Sequence, residues 1–247
     1  MQRFFVENIK GDTVLIEGTE AHHLKNVLRK KAGDEVLLFD GRGSEYKAKI
    51  EKIDESVVKT RIVSKIQKDI ESKIKINLFQ SIPKAYKFDF IVEKSTELGV
   101  SEIIPVVSER TQGDLIRDEG YSEKKLLRWK KIAVAASKQC GRITIPEILP
   151  ISSFTNAVRS IQCIPKAVSI IPWECENKNN LKTVLKNFDS EIQTVNLFIG
   201  PEGGYSNSEI EAAKKNDIVP VSLGKRILRT ETAPIVVISN ILYELDL

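Results

Sequence analysis

A short segment around residue 200 constrains the fold of this chain more than any other feature. The apolar run Val195–Ile199 is typical of a buried β-strand, and Gly200-Pro201-Glu202-Gly203-Gly204 follows it directly. Ser206 and Glu209 then have the spacing of a capping box, in which each side chain satisfies a backbone donor of the other residue. The segment is therefore predicted to run from strand through glycine-rich loop to helix. Such loops form the ligand crevice of open α/β sheets, although the loop alone is equally compatible with a tight turn.

Strand and helix patterns alternate along the chain from Ile74 onward. Short apolar runs predict strands, and apolar residues at helical spacing predict helices between them. The predicted strands are Ile74–Phe79, Ile103–Val107, Ala167–Ile171, Val195–Ile199 and Val219–Leu223. The predicted helices are Tyr86–Leu98, Ser122–Gln139, Leu181–Lys186, Ser208–Asn216 and Pro234–Leu245, the last with Thr232 as its N-cap. This alternation indicates a mainly parallel sheet covered by helices on both faces, so an α/β fold is expected.

The N-terminal part of the chain has a different pattern. Its short runs of β-forming residues predict strands, and one helix is expected at Glu20–Arg29. The strands are expected at Phe4–Val6, Thr13–Ile16, Glu35–Phe39, Tyr46–Ile50 and Val57–Val63. Several short strands with one small helix suggest a compact β-barrel. The charged segment Ser64–Lys73 would connect it to the α/β region, which gives two predicted domains, residues 1–70 and 71–247.

Composition excludes several functional classes. No apolar run approaches the length needed to cross a bilayer, and the N-terminal residues lack the layout of a signal peptide, so a cytoplasmic protein is expected. Cys140, Cys163 and Cys175 are widely spaced, and His22 and His23 are adjacent, so neither a disulfide framework nor a metal site is expected. A net charge of +4 is too small to indicate nucleic-acid binding by itself.

Three predicted strands of the α/β region end in unusual polar loops. These are Pro172-Trp173-Glu174, the glycine-rich loop, and Leu223–Pro234. Neighbouring parallel strands place such loops at one edge of the sheet, so the three are expected to form one pocket. The chain contains neither a phosphate-binding G-x-x-x-x-G-K-[ST] segment nor a G-x-G-x-x-G at the start of a βαβ unit. From the residues alone, the pocket suits S-adenosylmethionine as well as it suits a dinucleotide.

Five segments in order along nearly the whole chain resemble the 16S rRNA (uracil(1498)-N3)-methyltransferases, the RsmE-type members of the SPOUT class. They are HHLKNVLRKKAGDEVLLFDGRGSEY, KFDFIVEKSTELGVSEIIPV, ASKQCGRITIPEI, IGPEGGYSNSE and LGKRILRTETAP. The resemblance implies a small N-terminal PUA-like β-barrel that helps bind RNA and a SPOUT α/β domain with a C-terminal trefoil knot. It also implies a homodimer that uses S-adenosyl-L-methionine to methylate 16S rRNA of the 30S ribosomal subunit.

The same resemblance indicates which residues hold the cofactor. They come from the three predicted loops: Pro172, Trp173, Glu174, Ile199, Gly200, Pro201, Glu202, Gly203, Leu223, Gly224, Ile227, Leu228, Arg229 and Thr230. The Pro172-Trp173-Glu174 segment varies more within the family than the other two. The knot is an implication of the family alone, because knots are too rare for a sequence pattern to suggest one.

The chemistry implied by the resemblance needs a positive group in the pocket. N3 of uracil is a poor nucleophile until it loses its proton, and the resulting negative charge spreads onto the ring oxygens. Arg229 is the first candidate to stabilise that charge, because arginine stays charged and presents a planar set of donors. Arg3 is the second, and Glu231 could orient an arginine or relay the proton. Alternatively, Arg229 forms a structural salt bridge with Glu231 or Glu202.

Two further basic features are candidates for RNA binding. Arg29-Lys30-Lys31 at the end of the predicted helix would either contact phosphates or complement the helix dipole while facing solvent. Arg142 is expected on the active-site or RNA side because of its position in the family pattern. Two other functions stay open, a different α/β enzyme with a nucleotide cofactor and a non-catalytic RNA-binding protein.

Overall fold

The computed structural model describes residues 1–111, 119–162 and 164–246. These residues form two compact units. The first comprises Met1–Glu71 together with Ser137–Ile145, a segment that the sequence pattern placed with the α/β region. The second comprises Ser72–Ala136 and Pro146–Leu247. Of the cysteines considered above, Cys163 lies outside the described residues.

The first unit contains a five-stranded sheet with the order β1-β3-β4-β5-β2. Its strands are β1 (Arg3–Phe5), β2 (Thr13–Glu17), β3 (Glu35–Phe39), β4 (Glu45–Ile53) and β5 (Val57–Ile66). Only β1 and β3 pair in parallel, and the other neighbours are antiparallel. Alternating residues of these strands are buried in one hydrophobic core that includes Phe4, Val36 and Leu38. The five predicted strands are therefore present, most of them longer than predicted.

The predicted helix of the first unit is shorter and less regular than expected. Helix α1 spans Gly18–His22 and continues as a π-helical turn over His23–Val27. Arg29, the predicted last residue of the helix, has a φ of +50°, which lies in the left-handed region and cannot continue a right-handed helix. The chain therefore leaves the helix before the basic trio.

The second unit is built on a seven-stranded sheet in which all neighbouring strands are parallel. Its order is β12-β10-β11-β6-β7-β8, with β9 also paired to β7. The strands are β6 (Lys75–Ser81), β7 (Glu102–Val107), β8 (Glu147–Ile148), β9 (Ser152–Ser153), β10 (Ala167–Pro172), β11 (Thr194–Ile199) and β12 (Ile218–Val221). The predicted parallel α/β arrangement is thus confirmed.

Six helices of the described residues accompany this sheet. They are α2 (Lys87–Glu97), α3 (Glu119–Cys140), α4 (Phe154–Ser160), α5 (Leu181–Lys186), α6 (Asn207–Lys214) and α7 (Ala233–Leu245). The last turn of α3 belongs to the first unit. Helix α4 and strands β8 and β9 were not predicted, because segments of two to seven residues are too short to show a clear hydrophobic period.

Strand β11 lies in the middle of the sheet, and all its residues are buried. Burial on both faces explains why its sequence is a continuous apolar run instead of an alternating one. Phe198 stacks on Phe79 of the neighbouring strand β6, with ring centroids 4.3 Å apart. One polar pair interrupts the core, where Asn77 donates a 3.0 Å hydrogen bond to the side-chain oxygen of Asn196. The strand that carries the glycine-rich loop is therefore firmly anchored.

None of the helices in the described part of the chain is both long and apolar enough to cross a membrane. Residues 1–111, 119–162 and 164–246 also contain no group of three or more His, Cys, Asp or Glu side chains arranged to hold a metal ion.

Candidate active site

The three predicted loops meet beside one cavity of about 510 Å³. This is possible because β12, β10 and β11 are neighbours in the sheet and parallel, so their carboxyl ends share one edge. All fourteen residues predicted to bind the cofactor line the cavity. The remaining lining residues are Lys87, Gly204, Tyr205, Ser222, Lys225, Arg226 and Ala233. The volume lies within the range of small-molecule binding sites.

The glycine-rich loop is shaped by close contacts that exclude larger residues. Gly204 has a φ of +67°, and a Cβ atom there would lie 2.5 Å from Oε1 of Glu174. A Cβ atom on Gly200 would lie 3.3 Å from the ring of Tyr205. The predicted capping box is present, since Ser206 Oγ accepts from the N–H of Glu209 while the Glu209 carboxylate accepts from the N–H of Ser206. Helix α6 therefore begins immediately behind the loop.

A second contact holds the glycine-rich loop from the side of β7. The guanidinium of Arg110 donates a 2.7 Å hydrogen bond to the carbonyl oxygen of Gly203. The N–H of the preceding residue, Glu109, donates to the same Glu209 carboxylate that closes the capping box. Neither residue was singled out in the sequence, because the contact depends on the pairing of distant strands.

The loop after β12 is fastened to the glycine-rich loop by Thr230. The buried hydroxyl of Thr230 donates a 2.7 Å hydrogen bond to the carbonyl oxygen of Gly200. Gln80, which is fully buried at the end of β6, donates a 3.2 Å hydrogen bond to the same hydroxyl. Thr230 thus links two of the three pocket loops to the central strand.

The loop after β10 contributes a partly buried aromatic residue and an exposed carboxylate. The N–H of Trp173 donates a 3.0 Å hydrogen bond to the carbonyl oxygen of Val221, which extends the pairing of β10 with β12. The Trp173 ring packs against the hydrophobic core, and the ammonium of Lys214 lies 5.6 Å from its centroid. Glu174 is exposed and lies beside Gly204. The structure therefore brings this loop to the pocket wall.

Arg229 lines the pocket with an exposed side chain. Its guanidinium forms no hydrogen bond or ion pair with any residue that the structure describes. The alternative of a structural salt bridge to Glu202 or Glu231 is thus not observed. Both carboxylates are instead paired with Lys87, whose Nζ lies 3.1 Å from Glu202 Oε1 and 3.4 Å from Glu231 Oε2. Lys87 is the most notable pocket residue that the sequence did not indicate.

The charged groups at the pocket edge have shifted pKa values. A hydrogen bond to Glu202 raises the pKa of the Lys87 ammonium, with burial opposing the shift. Partial burial acts to raise the pKa of the Glu202 carboxyl. Hydrogen bonds from its own N–H, from Lys87 and from the N–H of Lys84 outweigh that effect and lower it. Both members of this pair are therefore charged at neutral pH.

Tyr205 follows the glycine-rich loop directly and also lines the pocket. Its side chain is buried, and that burial raises the pKa of the phenol. A phenol that holds its proton this strongly cannot serve as a general base near neutral pH. Tyr205 therefore contributes shape to the pocket, and its position next to the loop was the available sequence signal.

Arg3 has structural partners within the first unit. Its Nε donates a 2.6 Å hydrogen bond to the buried carboxylate of Glu45, and its terminal nitrogens donate to the carbonyl oxygens of Ser137, Lys138 and Arg142. The Ser137 and Lys138 carbonyls lie in the last turn of α3, where they lack intrahelical donors. The side chain is only 10% exposed. These contacts argue against the predicted catalytic role and make Arg3 a cap for the end of α3.

Arg142 is also engaged within the first unit. Its side chain is 8% exposed, pairs with Glu71 at 2.9 Å and donates a 3.0 Å hydrogen bond to the hydroxyl of Thr144. Burial acts to raise the pKa of Glu71, but Arg142 and hydrogen bonds from Thr144 outweigh it and hold the pKa below its usual range. A guanidinium fixed in this way is poorly placed to contact phosphates, so the structure argues against RNA contact by Arg142.

The basic trio has a different environment. Arg29 and Lys31 are exposed and Lys30 is partly exposed. Their side chains form no ion pairs within the described ranges. The trio lies beyond the end of the helical segment, on a turn in which the N–H of Lys31 donates to the carboxylate of Asp34. Three solvent-facing cations on a short turn are available for phosphate contacts.

Comparison with known proteins gives a consistent result for both units. Residues 70–242 match the family described as "RNA methyltransferase domain", and residues 16–63 match "RNA methyltransferase PUA domain". The protein is 32% identical to "Ribosomal RNA small subunit methyltransferase E" of Bacillus subtilis, over 100% of this chain and 98% of the relative. It is 33% identical to the protein of the same name from Mesomycoplasma hyopneumoniae, over 97% of this chain and 98% of the relative.

A solved structure resembles the whole chain as closely. It is the crystal structure of a ribosomal RNA small subunit methyltransferase E from Neisseria gonorrhoeae bound to S-adenosyl methionine. The two share 32% sequence identity and superpose with a TM-score of 0.86, covering 98% of this chain and 97% of the other.

Proposed function

This chain belongs to the ribosomal RNA small subunit methyltransferase E family, and from that membership we propose that it methylates N3 of one uridine in 16S rRNA, at the position of the 1498 type. The observation that carries the proposal is the pocket at the ends of β10, β11 and β12. It is lined by every residue predicted to hold S-adenosylmethionine, and it contains one arginine with no partner among the described residues.

The pocket fits S-adenosylmethionine in size and in chemistry. Its walls combine apolar side chains, such as Ile199, Leu223 and Leu228, with a glycine-rich backbone that a ligand can approach closely. Glu174 and Glu202 supply carboxylates suited to hydroxyl and ammonium groups. We propose that the predicted residues from Pro172 to Thr230 hold the cofactor, which supplies a methyl group on a positively charged sulfur.

Arg229 is the proposed catalytic residue. Its guanidinium stays protonated, and it is free to donate hydrogen bonds to the uracil oxygens on which negative charge develops once N3 has lost its proton. Holding the ring in this way would also orient N3 toward the methyl group. Glu231 is the proposed partner that orients the site or accepts the proton, since its side chain is 18% exposed beside Lys87.

The first unit is proposed to bind the RNA around the target uridine. The family match to a PUA domain and the solvent-facing trio Arg29-Lys30-Lys31 support this role. Phosphate contacts of this type give affinity and register without reading the base sequence. We propose residues 1–70 as the RNA-binding domain and 71–247 as the methyltransferase domain, and a substrate within the small ribosomal subunit would place the protein in the cytoplasm.

The finer features of the family are also proposed for this chain, namely a SPOUT fold with a C-terminal trefoil knot and a homodimer. The bond from Thr230 to the Gly200 carbonyl, which joins the last loop to the glycine-rich loop, is compatible with the knot. The exposed aromatic residues Phe90 on α2 and Tyr243 on α7, which lie on two helices that pack together, support a second copy as partner.

Binding experiments separate this function from its alternatives. Calorimetric titration with S-adenosylmethionine and with NAD should give binding of the first ligand only, and the reverse result would favour a dinucleotide enzyme. Transfer of radiolabelled methyl groups to 30S subunits, or to naked 16S rRNA, should then distinguish an enzyme from an RNA-binding protein without activity.

A further inference from the structure

Lys87 occupies a position that no motif of the chain indicates. It is the first residue of α2, its side chain is 36% exposed, and it lines the same cavity as the three loops. Its ammonium reaches carboxylates on two of those loops, Glu202 in the glycine-rich loop and Glu231 in the loop after β12. A single lysine from a helix thus bridges two pocket walls that are 29 residues apart in sequence.

The two contacts of Lys87 differ in kind. The contact to Glu202 is a 3.1 Å hydrogen bond, and the other oxygen distance, 3.4 Å to Glu231 Oε2, is an ion-pair distance without hydrogen-bond geometry. That Glu231 oxygen is buried and has no hydrogen-bond partner in the described part of the chain. Its charge therefore depends on the nearby ammonium for compensation.

Arg229 is the cation that would take over these carboxylates if Lys87 were absent. It is only two residues from Glu231 and lines the same cavity as Glu202. A guanidinium readily forms two-pronged ion pairs with carboxylates. An Arg229 paired in that way would be withdrawn from the pocket centre and neutralised.

We propose that Lys87 is a positioning residue that occupies the carboxylates of Glu202 and Glu231 and so keeps the Arg229 guanidinium available for the substrate ring. This inference rests on the proposed function of Arg229. It assigns Lys87 no contact with the reacting atoms. Its effect is to prevent a competing ion pair within the active site.

The proposal makes a specific demand on variants of Lys87. Lys87→Met removes the ammonium and keeps most of the side-chain volume, and it should lower kcat for methyl transfer to 30S subunits about tenfold or more. The affinity for S-adenosylmethionine should change by less than about threefold, because the loops keep their contacts through Thr230 and Arg110. Lys87→Arg should restore most of the activity, since it replaces the compensating charge.

Lys84 offers a matched control. It is exposed, lies three residues before Lys87, and reaches Glu202 only through its backbone N–H, at 3.1 Å. Lys84→Met therefore removes the same charge from the same region but leaves Lys87 and its ion pairs in place. It should have less than about a twofold effect on kcat.

A double-mutant cycle tests the competing ion pair directly. In the Glu231→Gln background, the carboxylate next to Arg229 is gone, so adding Lys87→Met should lower kcat much less than it does in the parent. Equal fold-losses in the two backgrounds would overturn the proposal. So would a Lys87→Met variant that weakens S-adenosylmethionine binding with kcat unchanged, because Lys87 would then be a ligand of the cofactor.

Reaction of Arg229 with phenylglyoxal, followed by mass spectrometry of the peptide, supplies a readout that needs no activity. Arg229 should react more slowly in Lys87→Met than in the parent, and adding Glu231→Gln or Glu202→Gln should restore the rate. Unchanged reactivity of Arg229 in Lys87→Met would overturn the proposal even if Glu231→Gln were inactive. Failure of the parent protein to methylate 30S subunits would instead contradict the proposed function.

Discussion

The hydroxyl of Thr230 donates a 2.7 Å hydrogen bond to the carbonyl oxygen of Gly200, and this bond joins the loop after β12 to the loop after β11. Because Gln80 at the end of β6 donates to the same hydroxyl, the two loops are tied to the centre of the sheet. The pocket is therefore held by buried polar contacts on its inner side, while Arg229, one residue away, faces solvent. Rigid walls with one free cation are what a methyl transfer to a deprotonated ring requires.

Arg229→Ala should abolish methyl transfer while leaving cofactor affinity nearly unchanged. Removal of a group that stabilises developing charge costs about 10²–10³ in kcat. Single-turnover assays on 30S subunits and calorimetry with S-adenosylmethionine give the two quantities. Arg159→Ala, which removes an exposed arginine on α4, is the control and should be fully active. Equal activity of Arg229→Ala and the parent would remove Arg229 from the mechanism.

Gly204→Ala should weaken cofactor binding. The left-handed backbone costs an alanine about 1–2 kcal/mol, and its Cβ would also lie 2.5 Å from Glu174 Oε1 at the pocket wall. Gly99→Ala is a matched control, because Gly99 has a φ of +91° and nothing within 4 Å of its Cβ position. Both variants should lose thermal stability, and only Gly204→Ala should show a raised Kd for S-adenosylmethionine. A similar Kd in both variants would show that the contact with Glu174 is unimportant.

The sequence predicted the second unit well because each of its signals is local. The apolar run before Gly200 and the capping box at Ser206 and Glu209 give strand, loop and helix without reference to the rest of the chain. The order of β10, β11 and β12 in the sheet then brings the loops together, as the parallel alternation predicted. The residues found by the family pattern and those lining the cavity agree for the same reason.

Features that depend on distant pairings could not be predicted. Lys87 meets Glu202 and Glu231 across more than 100 residues, and no spacing in the sequence records that contact. Arg3 was an exposed-looking arginine near the N-terminus, yet it caps the last turn of α3 more than 130 residues away. Both cases involve side chains that complete ion pairs or caps between separate elements, which only the folded chain defines.

Arg3→Ala should act through stability and not through chemistry. It leaves the buried carboxylate of Glu45 with one cation fewer, although Lys68 still lies 2.6 Å away, and it uncaps α3. The expected loss is about 3 kcal/mol in the free energy of unfolding, measured by urea denaturation. At a temperature where the variant is folded, kcat should match the parent. A large loss of kcat without a loss of stability would make Arg3 catalytic after all.

Neutralising the basic trio should weaken RNA binding without affecting the pocket. The variant Arg29→Ala, Lys30→Ala, Lys31→Ala should bind 30S subunits less tightly, and the slope of log affinity against log salt should fall by about 2. Lys52→Ala, at an exposed lysine already paired with Asp54 at 2.6 Å, is the control and should leave the slope unchanged. An unchanged slope in the triple variant would place the RNA contacts elsewhere.

The central claim is that this protein methylates N3 of one uridine in 16S rRNA. Primer extension on 16S rRNA tests it most directly, because reverse transcriptase stalls at an N3-methylated uridine, whose pairing edge is blocked. The stall should be present in the parent strain, absent in a strain lacking the gene, and restored by the gene but not by its Arg229→Ala form. A stall that persists in the strain lacking the gene would contradict the assignment.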